Sequence, residues 1–229
     1  MKFGKLKHKT DGKRRWFVAS FARQVFWSAV AYMLGGVSIT GKIPLKPGIV
    51  VVNHSSHADT AILFSVLYWS TRPFVVAARD YWSNGFKRVV ANSLVATVLV
   101  DRTGGGDSFE ELKKTVGERL ARGELVILFP EGTRTPDGVV GEFKTGAVRL
   151  ASELQVPLYP TALKGLHKLF PKHGRLSPRR MEIVFGSPVR VAAKLTREET
   201  QSEAIKLRET VVELKGEDTP SFKLQTPIG

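Results

Sequence analysis

The sequence predicts an α/β fold: a mostly parallel central sheet flanked by helices, preceded by an N-terminal amphipathic helix that lies at a membrane interface. Three observations predict it. Short, mostly apolar runs rich in Val, Ile and Leu recur between residues 48 and 185, the pattern of strands buried on both faces. Most are separated by helix-length segments, so strand and helix alternate as in a chain of βαβ units. Ahead of them a basic arm runs into an aromatic-rich apolar stretch, the composition of an interfacial helix.

The arm, residues 1–15, carries seven Lys/Arg against Asp11. Trp16 to Leu34 follows, and its clearly polar members are Ser20, Arg23, Gln24 and Ser28, which share one narrow stripe at helical spacing. A helix lying in the interface behind a polybasic arm is the favoured reading. A full membrane span competes with it, because nineteen residues are just long enough, but Arg23 at mid-segment costs about 2.5 to 3.5 kcal/mol on insertion scales. Arg23 also interrupts the apolar core that a signal peptide needs. A core helix behind a solvated basic tail is the plainest alternative.

After Gly35-Gly36, Val37 to Thr40 is strand-like, and Pro47-Gly48 leads into the first buried strand, Gly48 to Val52. Thr60 to Phe64 begins a helix-length apolar segment. Phe74 to Ala78 and Ala96 to Val100 read as the next strands. A helix over 109–121 is expected, with Gly105-Gly106-Asp107 as a turn and Ser108-Phe109-Glu110-Glu111 as a capping box. Leu125 to Phe129 is a strand and Phe143 to Leu154 a helix. Leu158 to Leu163 is a strand in which Pro160 weakens the ladder or marks an edge. Met181 to Phe185 is the last strand and Arg197 to Leu214 a C-terminal amphipathic helix. The division that follows is 1–36 for arm and interface helix, 37–215 for the α/β domain and 216–229 for a loosely ordered tail.

The net charge of +14 is concentrated. The arm and residues 164–180, the latter with six Lys/Arg and no acid, hold twelve of the fourteen charges. Such patches serve nucleic acids, anionic membranes or anionic substrates. No nucleic-acid module is visible, and the aromatic stretch beside the arm favours a membrane surface. The chain has no Cys, which excludes disulfides, thiol nucleophiles and zinc-thiolate sites.

The chemistry gathers at strand ends, where ligands bind in parallel sheets. His54 follows the first buried strand and Asp59 comes five residues later. On one continuous helix that spacing separates two side chains by roughly 140°; a strand-to-helix turn instead folds His54 back over Asp59, where the helix dipole favours a carboxylate. An imidazole oriented by a carboxylate is a general base. Backbone NH groups at the helix start after Asp59 are candidate oxyanion donors. Phe129-Pro130-Glu131-Gly132-Thr133-Arg134 ends another strand. There Arg134 can grip a phosphate bidentately and Gly132 lets backbone NH groups approach it, whereas Glu131 must pair a cation or bind a hydroxyl. Arg102, with Asp101 able to orient it, and Lys144, opening the helix after Thr135-Pro136-Asp137-Gly138, are further candidate anion contacts, the plain alternative being ordinary exposed charges. Gly146 would let that helix approach closely. Ser55 and Ser56 lack the G-x-S-x-G elbow of a serine nucleophile. His54-x-x-His57-x-Asp59 also supplies three metal-ligand types, but it lacks the H-E-x-x-H helix of a zinc protease.

Asn53-His54-Ser55-Ser56-His57-Ala58-Asp59 and Phe129 to Arg134 resemble the two signature motifs of the glycerolipid acyltransferase superfamily. Val100-Asp101-Arg102 and Val156-Pro157-Leu158-Tyr159-Pro160 are similar to its secondary motifs, and the likeness covers roughly residues 35–190. His57 stands where many members carry another residue, often aromatic or Arg. The resemblance implies direct transfer of a fatty acyl group from acyl-CoA or acyl carrier protein to the sn-2 hydroxyl of 1-acylglycerol-3-phosphate, giving phosphatidic acid, or to another lysolipid. It implies His54 as base with Asp59 as its partner. Glu131, Gly132 and Arg134, with Arg102, would bind the acceptor's glycerol phosphate; beside that resemblance, Thr133 and Lys144 are candidate substrate contacts by their position. No metal or cofactor is implied. The partners are membrane lipids, the lysophospholipid acceptor and the acyl donor rather than nucleic acid, and the location is peripheral or monotopic on the cytoplasmic face of a membrane.

Overall fold

The computed structural model describes residues 8–56, 58–67, 69–78, 96–100, 105–135, 137–169 and 177–217. Helix α1 (His8–Met33) leads to strands β1 (Val37–Thr40) and β2 (Gly48–Val52), helix α2 (Asp59–Val66) and a 3-10 turn at Trp69–Thr71. Strands β3 (Phe74–Ala78) and β4 (Thr97–Val100) precede helix α3 (Gly105–Ala121), β5 (Leu125–Leu128) and α4 (Gly146–Leu154). Strand β6 (Leu158–Lys164), the short α5 (Leu166–Leu169), β7 (Met181–Phe185) and α6 (Arg197–Lys215) complete the described chain.

These strands form one sheet in the order β1-β7-β6-β2-β5-β3-β4. Every neighbouring pair is parallel except β6 with β7. The period-2 geometry of a strand sorts β2 between two cores. Ile49 and Val51 face a layer that includes Val116, Val148, Ala151 and Val211 of α3, α4 and α6. Val50 and Val52 face Ile62, Leu63 and Phe64 of α2 and Ala31 of α1. All four β2 side chains are fully buried, which is why the run carries no polar residue.

Three expectations need correction. Pro160 lies in an interior strand, paired with Val51 of β2 on one side. Its nitrogen faces the other side, where the β6–β7 ladder begins only at Thr161↔Phe185 and the Gly186 amide donates to the Pro160 carbonyl; no ladder bond is lost. Helix α3 begins at Gly105, so the stretch expected to be a turn is its first turn and Ser108 is an interior residue. A capping box does occur, at Thr196 and Glu199, where each side chain accepts the other's backbone NH at the start of α6. Helix α1 reaches back to His8, into the basic arm, because Lys and Arg are good helix formers and apolar periodicity marks packing rather than where the backbone coils.

The polar stripe of α1 faces the protein. Ser20 is buried, the Ser28 hydroxyl donates to the Ser65 carbonyl at 2.9 Å, and the Gln24 side-chain oxygen accepts from the Trp69 amide at 3.0 Å. The outward face carries Val18, Phe21, Val25, Phe26, Tyr32 and Met33, all exposed. A helix on a globular surface normally shows the reverse arrangement. No helix among the described residues is long and apolar enough to cross a membrane.

Candidate active site

Strand β2 ends in Asn53, whose side chain continues the ladder: its amide donates to the Leu163 carbonyl at 3.2 Å and its oxygen accepts from the Leu163 NH at 2.7 Å. This buried pair pins the chain just before His54 to β6. From there the chain turns back, and His54 Nδ1 lies 2.8 Å from Asp59 Oδ2. The same carboxylate oxygen accepts from the amides of Ser55 at 2.7 Å and Ser56 at 2.9 Å. Asp59 is fully buried as the first residue of α2, so three donors and the helix dipole together hold its charge. With Nδ1–H donated to Asp59, Nε2 is left as the basic nitrogen. The His54 ring is 22% exposed and stacks on Phe129 with centroids 4.2 Å apart and planes 25° from parallel. It is thus held by a hydrogen bond at one edge and by an aromatic face, and remains partly exposed.

The amides that precede the expected oxyanion donors are committed within the turn, and at the helix start after Asp59 the Ile62 amide donates to the Ala58 carbonyl at 2.9 Å. The amides of Ser55 and Ser56 serve Asp59, the Ala58 amide donates to Ser56 Oγ at 3.2 Å, and the Asp59 amide donates to the Ser56 carbonyl at 3.3 Å.

The Glu131–Arg134 loop is strapped onto the His54 turn. The His54 amide donates to Glu131 Oε1 at 2.8 Å, while the His54 carbonyl accepts from the Thr135 amide at 2.9 Å and from its hydroxyl at 3.2 Å. Glu131 therefore points inward. It is 8% exposed and grips backbone, where the sequence suggested a cation or a substrate hydroxyl. Burial raises its pKa to about 7; the amides of His54 and Gly141 oppose this shift and the Asp59 charge adds to it.

A raised carboxyl pKa stabilises the fold fully below the unfolded value of about 4.5, and that contribution is lost as pH rises through about 7. Glu131→Gln keeps an acceptor for the His54 amide but never charges. Its stability relative to the parent is expected to rise by up to about 3 kcal/mol between about pH 5 and about pH 8, at about 1.4 kcal/mol per tenfold change in proton affinity. Urea unfolding at the two pH values measures this. Parallel behaviour of the two proteins would show that Glu131 is not the titrating group.

Gly132 adopts φ +73°, which only glycine takes without strain. Its amide donates to the Phe129 carbonyl at 3.2 Å, so the sharp turn, rather than an open NH, is what this glycine supplies. A β-carbon there would lie 3.0 Å from Lys144 Nζ, so the ammonium stands directly over the turn. Lys144 does not open a helix: α4 begins at Gly146 after the N-cap Thr145, and the Lys144 amide donates to the Pro130 carbonyl at 2.9 Å. Gly146 has nothing within 4 Å of its β-carbon position, so it mediates no close approach. Thr133 is exposed and Arg134 half-buried on the same loop. The structure thus brings together His54, Asp59, Glu131, Gly132 and Lys144. Arg102, Asp101 and His57 lie outside the described residues. Asn53, Phe129 and Thr135, which the sequence did not single out as site residues, fix the base; the signals for Asn53 and Phe129 were their places at strand ends and at the head of the two motifs. Among the described residues no three His, Cys, Asp or Glu cluster to hold a metal ion.

The carboxylate-held histidine at the end of the central strand β2, the glycine turn beneath Lys144 and most of the sheet all fall within one stretch that matches the acyltransferase family. Residues 36–164 match that family, and the chain belongs to it. Among its relatives is the 1-acyl-sn-glycerol-3-phosphate acyltransferase alpha of Mus musculus, 31% identical over 149 residues, or 64% of this chain and 51% of the mouse protein. A 1-acyl-sn-glycerol-3-phosphate acyltransferase from Pseudomonas aeruginosa is 27% identical over 178 residues, 75% of this chain and 66% of that protein. The chain spans about half the length of the mouse relative. The crystal structure of the 1-acyl-sn-glycerophosphate (LPA) acyltransferase PlsC from Thermotoga maritima has the same fold, with a TM-score of 0.71 at 24% identity, covering 93% of this chain and 86% of that one.

Proposed function

We propose that the chain transfers a fatty acyl group from an acyl thioester to the sn-2 hydroxyl of 1-acylglycerol-3-phosphate, giving phosphatidic acid. The observation that carries this reading is the 2.8 Å contact between His54 Nδ1 and Asp59 Oδ2 beside the Lys144-capped Gly132 turn. A thioester is already activated, so the enzyme needs an aligned, deprotonating hydroxyl rather than a covalent intermediate. His54 Nε2 takes the hydroxyl proton as the oxygen attacks the thioester carbonyl. The new C–O bond forms, the C–S bond breaks, and the imidazolium returns the proton to the departing thiolate. Asp59 stabilises the imidazolium in between. Arg134 and Lys144, with Arg102 and Thr133, hold the acceptor phosphate, while Glu131 holds their loop against the base. No metal or cofactor enters these steps.

An assay crossing acyl-CoA and acyl carrier protein donors with several lysolipids tests the reading. Phosphatidic acid is the expected product; exclusive acylation of a lysolipid without a phosphomonoester would replace the acceptor. Arg134→Ala is expected to raise the KM for 1-acylglycerol-3-phosphate by about tenfold to a hundredfold, the value of one or two charge-assisted hydrogen bonds, with little change in the donor's KM. An effect on the donor alone would mean that the two sites are reversed.

The acceptor is a lipid, and the outward face of α1 provides the contact with its membrane. Val18, Val25 and Tyr32 present apolar surface to solvent, and the basic arm adds attraction to anionic headgroups. Residues 1–36 then act as the membrane contact and 37–215 as the catalytic domain, bound peripherally at a cytoplasmic leaflet. Val25→Asp combined with Tyr32→Asp is expected to weaken flotation with anionic vesicles at least about tenfold, since one buried apolar side chain is worth about 1.5 to 3 kcal/mol. Thermal stability should hardly change, because both side chains are exposed. Undiminished flotation would remove α1 from the interface.

A further inference from the structure

The C-terminal helix α6 lies outside residues 36–164, the part matched to the family, yet Arg208 and Lys215 of its second half and Glu217 just past its C-cap Gly216 reach the site loop. Arg208 Nε donates to the Gly141 carbonyl at 2.9 Å and Arg208 Nη2 to the Val140 carbonyl at 2.9 Å. Lys215 Nζ donates to the Gly138 carbonyl and pairs with Glu217 Oε1. Glu217 Oε2 accepts from the Val140 amide at 3.2 Å. Four backbone groups in Gly138–Gly141 are thus held by side chains 67 to 77 residues away.

That short stretch is also the backing of the Glu131–Thr135 loop. The Gly138 amide donates to the Thr135 carbonyl at 3.3 Å. A β-carbon on Gly141 would lie 2.9 Å from Glu131 Oε2 and 3.2 Å from the Thr135 methyl, so Gly141 packs directly against both residues that tie the loop to His54. Glu131 accepts the His54 amide and Thr135 donates to the His54 carbonyl. A continuous run of contacts therefore leads from α6 through Gly138–Gly141 to the acceptor loop.

We propose that Arg208, Lys215 and Glu217 form a clamp that positions the acceptor-binding loop against His54, making them positioning residues for acceptor binding. A peptide backbone held by a planar guanidinium at two adjacent carbonyls has little freedom, and a site group displaced by about 1 Å can lose a hundredfold in rate. An anchor for the base would act on both substrates. None of the four clamp bonds is made to His54, so their loss falls first on the acceptor loop. This assignment rests on the acceptor loop of the proposed function.

Arg208→Ala, Arg208→Lys, Glu217→Ala and Glu217→Gln test it in two measurements. In steady-state kinetics Arg208→Ala and Glu217→Ala are expected to raise the KM for 1-acylglycerol-3-phosphate about tenfold, with kcat and the thioester KM within about threefold of the parent. Arg208→Lys and Glu217→Gln, which keep one donor and one acceptor, should recover much of the loss. In hydrogen exchange of the full chain, peptides covering 137–143 should exchange at least about tenfold faster in the two Ala variants, while β2 and β5 peptides stay protected. Unchanged exchange at 137–143, or equal KM changes for both substrates with no recovery by the conservative variants, would overturn the clamp. Hydrogen exchange reads the clamp without turnover. Faster exchange in a chain that does not acylate the lysolipid would reject the proposed reaction and leave the clamp standing.

Discussion

Replacing His54 with Ala is expected to slow acyl transfer by about 10²- to 10⁴-fold, the usual worth of a general base, while the protein remains folded. The ring is partly exposed, and its contacts among the described residues include one hydrogen bond to Asp59 and a stack on Phe129. The main-chain bonds that fasten the turn, from the His54 amide to Glu131 and from Thr135 to the His54 carbonyl, do not depend on the imidazole. The loss should therefore fall on kcat, with KM for both substrates nearly unchanged. Purified His54→Ala that acylates at close to the parental rate would refute the base assignment, and a variant that no longer unfolds cooperatively would mean that the ring is part of the scaffold.

Asp59→Asn is the second large effect, about 10²- to 10⁴-fold in kcat. Asp59 Oδ2 receives three donors at once, the imidazole and the amides of Ser55 and Ser56, and it is fully buried. An amide oxygen in its place still accepts hydrogen bonds, but the charge that stabilises the imidazolium is gone. The amide NH2 also enters a site where every close partner is a donor, so the carboxamide either leaves its nitrogen unsatisfied or rotates and breaks the turn. Asp59→Asn is consequently expected to lose some stability as well, which His54→Ala is not. Kinetics and urea unfolding on both variants separate the two contributions. Full activity in Asp59→Asn would leave His54 without an orienter and undo the pair.

Features set by local contacts are legible in the sequence, and features set by distant partners are not. Strand β2 was legible because four successive apolar residues with no polar face have one common solution, burial on both sides. The His54–Asp59 pair was legible because a five-residue spacing across a strand end and a helix start allows few geometries, and the contact is local. Helix starts were less so. Ser108 to Glu111 has the spacing of a cap inside α3, whereas the cap that forms is Thr196 to Glu199, and the difference depends on which residues the backbone leaves outside the helix. The inward turn of Glu131 could not be read, since its partner lies 77 residues away and a carboxylate beside Gly and Arg suits solvent or ligand equally well. The same holds for Arg208, whose two carbonyl acceptors are set by how α6 lies across the α4 layer. Along α1 the polar positions were visible in sequence but the direction they face was not. That direction follows from acceptors and donors at Ser65 and Trp69, and it turns the aromatic face outward.

The most direct measurement compares thioester consumption by the full chain with 1-acylglycerol-3-phosphate and with 1-acylglycerol, which keeps the hydroxyl and lacks the phosphate. A base facing a phosphate-anchored hydroxyl is expected to consume one thioester per phosphatidic acid formed and to favour the phosphorylated acceptor by about a hundredfold in kcat/KM, which is about 2.7 kcal/mol of transition-state binding. Equal rates with the two acceptors, or thioester consumption that does not depend on either, would contradict it.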